Sequence, residues 1–296
     1  MTARLGDFTI VRPLRPLLGR GSRRVRAYTA LFSSGDLAIA AQLYLPPEDY
    51  DGSPRSAHPL DMPAPPGGAM VVGHGGVWGI PTHYDFVLRR LAASGWAIAA
   101  PSCRGEGGSD GEVEFALGEV DDTLVCWHAL AELPEVDPGK TWLLGSSHGA
   151  MVSLLALARE DAPAEIPGAV AISGVYDVAS WLEWVRRTGH VLLEDPIIAR
   201  LNELKPEELG RRSAVEVADR IGAPVFLSHG ENDTMVPVEQ VTVLAQAFER
   251  AGKTNWRLRI EPGADHEYIW APGRQNAIAT WREVLSFMEE HPGAGR

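Results

Sequence analysis

The stretch TWLLGSSHGAMVSLL, from Thr141 to Leu155, sets two uninterrupted apolar runs on either side of Gly145, Ser146, Ser147, His148 and Gly149. A short apolar run that ends in glycine reads as a strand buried on both faces, and the longer run after it reads as a helix. Residues 145 to 149 fit G-x-S-x-G, a sharp strand-to-helix turn that holds a serine out at the end of a strand. Glycine is required because the strand and helix backbones approach so closely that side chains at Gly145 and Gly149 would collide. A chain built around such a turn needs neighbouring parallel strands to bury the first run and helices to cover both faces.

The rest of the chain fits that demand. Strand-like segments at 26 to 33 and 37 to 45 read as an opening antiparallel hairpin, and 69 to 75, WAIAAP, TWLLGS, GAVAIS, PVFLSHG and NWRLRIEPG follow. Helical segments alternate with them. In the first, Thr82 and Asp85 look like a capping box and Gly95 like a C-terminal cap. Between Leu117 and Leu133, Val120, Leu124, Trp127 and Ala131 share one face while Glu119, Asp121, Asp122 and Glu132 take others. The expected fold is α/β: a mostly parallel eight-stranded sheet with helices on both faces, one domain over residues 1–296. Residues 176–212 break the rhythm, reading as helices with no strand between them, and are expected to form a small helical cap over the site.

Composition narrows the function. Asp and Glu number 39 against 27 Lys and Arg, a net charge of -12 that repels nucleic acid and anionic membranes. No segment approaches the roughly 18 uncharged apolar residues of a membrane span, and the first residues lack a signal-peptide core, so a soluble cytoplasmic protein is expected. Cys103 and Cys126 form no Cys-x-x-Cys pair and read as buried thiols; no ligand cluster suggests a metal, and no cofactor is expected. Arg12, Arg15, Arg20, Arg23, Arg24 and Arg26 read as a solvated arm, since interspersed prolines and glycines spoil an amphipathic helix. The oligomeric state is left open, a homodimer included.

A serine nucleophile needs a base, and the base needs a carboxylate to orient it. With the chain order nucleophile, acid, histidine, Asp233 after PVFLSHG and His266 after the next strand take those places behind Ser147. Asp265 and Glu231 are weaker candidates for the acid, and His229 reads as structural. The oxyanion donors expected are the N–H groups of His148 and of Gly76 in the HGGVWG loop, with Gly75 or Val77 if the loop register differs. At His74 and His148 the backbone is expected to matter more than the ring.

HGG at 74 to 76, CRGEGGSDGE from Cys103, LPEVDPGKTWLLGSSHGA from Leu133, SHGENDTMVP ending at Pro237 and GADHEY from Gly263 together resemble the α/β-hydrolase superfamily, in particular the prolyl oligopeptidase and dienelactone hydrolase group. The resemblance runs from about residue 26 to about residue 290. It implies serine-hydrolase chemistry more firmly than peptide cleavage, since the leader is too short for the β-propeller of the oligopeptidases. Dienelactone hydrolases look like cysteine enzymes, whereas position 147 is serine.

The expected activity is hydrolysis of a small-molecule carboxylic ester through an acyl-enzyme on Ser147, the alternative being a peptidase or amidase with aminoacyl or short peptide substrates. Trp78, Trp181, Trp184 and Trp270 are candidates to line an apolar pocket. Glu183, Arg186 and Arg187 are the charges that could anchor a peptide terminus. A noncatalytic protein on the same fold is the third reading, and the ordered nucleophile, acid and base oppose it.

Overall fold

The computed structural model describes residues 3–15 and 25–293. Apolar runs build its strands: β1 (Arg4–Leu5), β2 (Phe8–Pro13), β3 (Arg26–Ser34), β4 (Leu37–Leu45), β5 (Ala69–Gly73), β6 (Ala97–Ser102), β7 (Thr141–Ser146), β8 (Ala169–Ile172), β9 (Val225–Gly230) and β10 (Trp256–Glu261). They form one sheet in the order β1-β2-β3-β4-β6-β5-β7-β8-β9-β10, antiparallel from β1 through the β4–β6 pair and parallel from there on. Every residue of β5, β6, β7, β8 and β9 is buried, which is why these strands are continuously apolar rather than alternating.

The helices are α1 (Tyr84–Ala93), α2 (Gly118–Ala131), α3 (His148–Leu157), α4 (Val178–Thr188), α5 (Pro196–Asn202), α6 (Pro206–Gly210), α7 (Glu239–Arg250) and α8 (Gln275–Glu290). Alternate strand residues face opposite layers. Met70, Val72, Leu144, Val170 and Phe226 pack with α1 and α8, while Val71, Leu143, Ala171 and Leu227 pack with α2, α3 and α7. Among the described residues no helix is long and apolar enough to cross a membrane. Cys103 and Cys126 are buried free thiols.

Among the described residues the sheet has ten strands rather than eight, because the leader contributes β1 and β2. Gly6, at φ +54°, turns the chain so that Leu5 pairs with Phe8, and the fully buried Phe8 ring packs edge-on against Phe32 with centroids 6.0 Å apart. The expected arginine arm is therefore partly sheet. Arg12 lies in β2 with its side chain exposed, Arg15 is exposed, and Arg26 opens β3 and pairs with Glu135 at 3.2 Å. Arg20, Arg23 and Arg24 lie outside the described residues.

Two expectations about charge fail for one reason: buried partners draw acids inward. Asp85 makes no capping box with Thr82; it accepts from the buried Arg89 at 2.9 and 3.0 Å and from Tyr44 at 3.0 Å. On α2, Glu119 and Asp122 are fully buried. Glu119 accepts the backbone N–H groups of Glu114, Phe115 and Leu117, and Asp122 takes the Arg104 guanidinium and backbone N–H.

Between β8 and β9 the chain runs through α4, a 3-10 turn at Val191–Glu194, α5, α6 and a second 3-10 stretch at Ala214–Arg220. This insertion is pinned beside the loop after β9: Trp181 Nε1 donates to the Met235 carbonyl at 3.2 Å, and His190 Nε2 lies 2.8 Å from the Thr234 carbonyl.

Candidate active site

Parallel pairing places the carboxyl ends of β7, β9 and β10 at one edge of the sheet, and Ser147, Asp233 and His266 each lie just beyond one of those ends. Ser147 has φ +54° and ψ -116°, a conformation that a residue with a Cβ holds only when its surroundings enforce it. The enforcement is steric. A Cβ on Gly145 would stand 2.1 Å from the Gly149 carbonyl oxygen, and one on Gly149 would stand 2.3 Å from the Gly73 carbonyl carbon and oxygen. Strand β5, strand β7 and helix α3 therefore meet through bare backbone, and the serine is forced outward at the start of α3.

The acid is fixed from several sides. Asp233 Oδ2 lies 2.7 Å from His266 Nδ1 and 3.3 Å from His229 Nε2, while Oδ1 accepts the Met235 and Val236 N–H groups at 2.9 Å each. Burial by itself would raise the Asp233 pKa, but hydrogen bonds from His229, His266 and the loop amides hold it well below the usual carboxylate range. An ionised Asp233 keeps the proton on His266 Nδ1 and leaves Nε2 as the basic nitrogen. The loops after β9 and β10 are bound together, Asn232 N–H donating to Ala264 O at 2.9 Å. Asp265 turns outward to Arg274 at 2.7 Å, and Glu231 accepts the Gly263 N–H at 3.0 Å, so neither meets the imidazole.

Among the described residues, neither the His148 N–H nor the Gly76 N–H donates to a protein acceptor, whereas the Gly75 N–H is directed to Tyr84 OH at 3.4 Å. Both free donors flank Ser147: His148 follows it in the chain, and the loop bearing Gly76 lies so close that a Cβ on Gly75 would sit 3.2 Å from Ser147 Cβ. A serine at the start of a helix, a carboxylate-bound imidazole and two unused amides can carry out acyl transfer.

Residues 82–295 match a family model, that of the prolyl oligopeptidase family. The chain belongs to that family. It is similar to the uncharacterized peptidase YtmA of Bacillus subtilis (strain 168), 24% identical over 234 residues that cover 78% of this chain and 83% of the relative. It is also similar to the esterase LipC of Mycobacterium tuberculosis, 25% identical across 78% of this chain and 60% of that one. Among solved structures, an acylaminoacyl peptidase in complex with Z-Gly-Gly-Phe-chloromethyl ketone superimposes with TM-score 0.69 at 17% identity, covering 93% of this chain and 43% of that chain. A Mycobacterium tuberculosis puromycin-hydrolyzing peptidase does so with TM-score 0.69 at 20% identity, over 95% and 41%. The chain thus spans less than half the length of these structural relatives, and the likeness establishes the α/β-hydrolase fold.

The four tryptophans part company. Trp78 is 71% exposed and lies over Gly76, where a Cβ would meet its ring at 3.2 Å. Trp184 is half-buried and tilts against His190. Trp181 is 5% exposed, stacked parallel to Phe115, whose ring in turn lies 5.0 Å from the His148 ring. Trp270 is a core residue rather than a pocket wall: it is 4% exposed, stacked on Tyr84 and edge-on to Trp281. Phe115, which sequence reasoning did not single out, is buried between the Trp181 and His148 rings and held at φ +58° by the hydrogen bonds that Glu119 accepts.

The rings of His74 and His148 matter beyond their backbone positions. His74 pairs with the buried Glu106 at 2.8 Å. Burial lowers the His148 pKa to about 4, so this imidazole is neutral in the native state. Unfolded, it binds a proton near the ordinary histidine value of about 6.5, so stability present above that pH is lost as pH falls from there towards 4. The His148 contribution, read from urea unfolding as the difference between wild type and His148→Leu, should fall by about 3 kcal/mol across that window. His148→Leu keeps the backbone donor and removes the titration, so its stability should change much less with pH over the same range.

Proposed function

We propose that this chain hydrolyses carboxylic esters with a Ser147, Asp233, His266 triad. The observation that carries the reading is the Asp233–His266 hydrogen bond at 2.7 Å, set at the same sheet edge as a strained serine. His266 Nε2 removes the hydroxyl proton as Ser147 Oγ attacks the ester carbonyl, and the oxygen of the tetrahedral adduct takes hydrogen bonds from the His148 and Gly76 N–H groups. The adduct collapses, His266 returns the proton to the departing alcohol, and an acyl-enzyme remains. Water, deprotonated by the same nitrogen, then releases the acid and restores Ser147.

Esters are favoured over peptides by the insertion. The buried side of α4 is Val178, Trp181, Leu182 and Val185, whereas Glu183, Arg186 and Arg187 are exposed. Val178, Trp181, Leu182 and Val185 are taken up by the core, and an apolar acyl chain suits the accessible rings of Trp78 and Trp184 better than a charged peptide terminus does. Residues 176–212 then act as the cap, with Trp78 and Trp184 as substrate-facing aromatics. The competing reading, cleavage of aminoacyl or peptide amides, has in its favour the names of relatives: YtmA is called a peptidase, and a similar structure a puromycin-hydrolyzing peptidase.

The deciding experiment is turnover of a chain-length series of p-nitrophenyl acyl esters beside matched aminoacyl p-nitroanilides. Ester kcat/KM at least about 100-fold above that for the anilides, peaking at one acyl length, is the expected result. Equal or faster anilide cleavage would move the protein to the amidase side.

A further inference from the structure

One buried carboxylate grips both ends of the loop that carries Gly76. Glu106 Oε2 lies 2.8 Å from His74 Nε2 and accepts the Gly79 N–H at 3.1 Å. On the far side of the ring, His74 Nδ1 lies 3.0 Å from the Gly75 carbonyl oxygen. With an oxygen facing each ring nitrogen, an ionised Glu106 requires protons on both, so the pair is an imidazolium and a carboxylate. The His74 carbonyl in turn accepts the Gly149 N–H at 3.0 Å, fastening the loop to the start of α3. Glu106 Oε1 is buried without a hydrogen-bond partner. Burying a charge with one oxygen unsatisfied is costly, and a surface loop held only for stability does not need it.

We propose that Glu106 is a positioning residue for the oxyanion site, acting through His74 and Gly79 to hold the Gly76 N–H where the tetrahedral oxygen forms. The inference rests on the serine-hydrolase reading above. A donor that slips loses little in the ground state and much in the transition state, so the effect belongs in kcat rather than KM. The other titratable groups around the pair are His148 on α3, kept neutral by burial, Tyr84 on α1, whose hydroxyl meets the Gly75 N–H, and Cys103, whose thiol is pushed up by burial and by the Glu106 charge. Burial opposes charge on His74, but the hydrogen bond and charge of Glu106 raise its pKa above the ordinary value.

The test uses Glu106→Gln, which preserves shape, and Glu106→Ala, with p-nitrophenyl butyrate as substrate and a propyl trifluoromethyl ketone as a tetrahedral-adduct mimic. Glu106→Gln should lower kcat about 10- to 100-fold with KM within about twofold, and should weaken the ketone by a similar factor. Its alkaline activity limb should move to lower pH, because His74 loses its counter-charge. Nitrogen NMR of the wild type supplies a readout independent of any variant's folding, and should show His74 losing its second ring proton only above the ordinary histidine range. Wild-type kcat and ketone affinity in Glu106→Gln, or a His74 ring that deprotonates within or below the ordinary histidine range, would overturn the proposal. Fluorophosphonate labelling of wild-type Ser147 separates the two levels. A wild type that neither labels nor turns over the ester loses the serine-hydrolase reading and this inference together; an active wild type with unaffected variants loses this inference alone.

Discussion

Ser147→Ala should fold normally and turn over p-nitrophenyl esters about 10^5-fold more slowly than the wild type. The loss is large because the hydroxyl is the nucleophile of both half-reactions, and the oxyanion donors can accelerate only the slow attack of water that remains. The fold should survive because alanine keeps the Cβ and drops one oxygen from a half-buried residue, with no change in the contacts of Gly145 and Gly149. A companion variant tests whether the backbone is strained. At φ +54° and ψ -116° glycine is at ease where serine is not, so Ser147→Gly should be equally inactive yet more stable than Ser147→Ala by about 1 kcal/mol. Thermal unfolding beside steady-state kinetics reads both effects. Ester turnover in Ser147→Ala above about a hundredth of wild type would place the nucleophile elsewhere.

What could be read from the sequence was what is local in the chain. Strands β5, β7, β8 and β9 are apolar runs that end near glycine, and the order of Ser147, Asp233 and His266 needs only the positions of strand ends. The leader hairpin was missed although its signal is of the same kind as one that was read. Gly6-Asp7 turns β1 into β2 as Gly35-Asp36 turns β3 into β4, each glycine at positive φ. Two residues of β1 and a row of arginines outweighed that signal, and the burial of Phe8 depends on Phe32, a residue far along the chain. The buried acids were illegible for a stronger reason. Glu106, Glu119 and Asp122 look like solvated charges until the fold brings His74, the loop amides and Arg104 to them. Periodicity cannot report a partner that tertiary structure supplies.

Gly149→Ala should destabilise the protein by more than about 3 kcal/mol, lowering the melting temperature by on the order of 10 °C. Most small-to-large changes relax by rotating a neighbouring side chain. Here the neighbour is backbone: the added methyl would stand 2.3 Å from the Gly73 carbonyl group and 2.8 Å from its Cα, and β5 cannot yield because it is paired on both sides, with β6 and β7. Helix α3 must tilt instead. It begins at His148, so the movement displaces the His148 N–H and the Ser147 backbone along with it. Activity should therefore fall by more than the folded fraction alone accounts for, which distinguishes a displaced elbow from simple unfolding. Gly222→Ala is the control. A Cβ there meets nothing within 4 Å and the backbone needs no positive φ, so its stability should stay within about 0.5 kcal/mol of wild type. If Gly149→Ala matched that control in both melting temperature and turnover, the glycines of the elbow would not be there for steric reasons. Ser147 would then owe its strained φ to some contact other than the meeting of β5, β7 and α3.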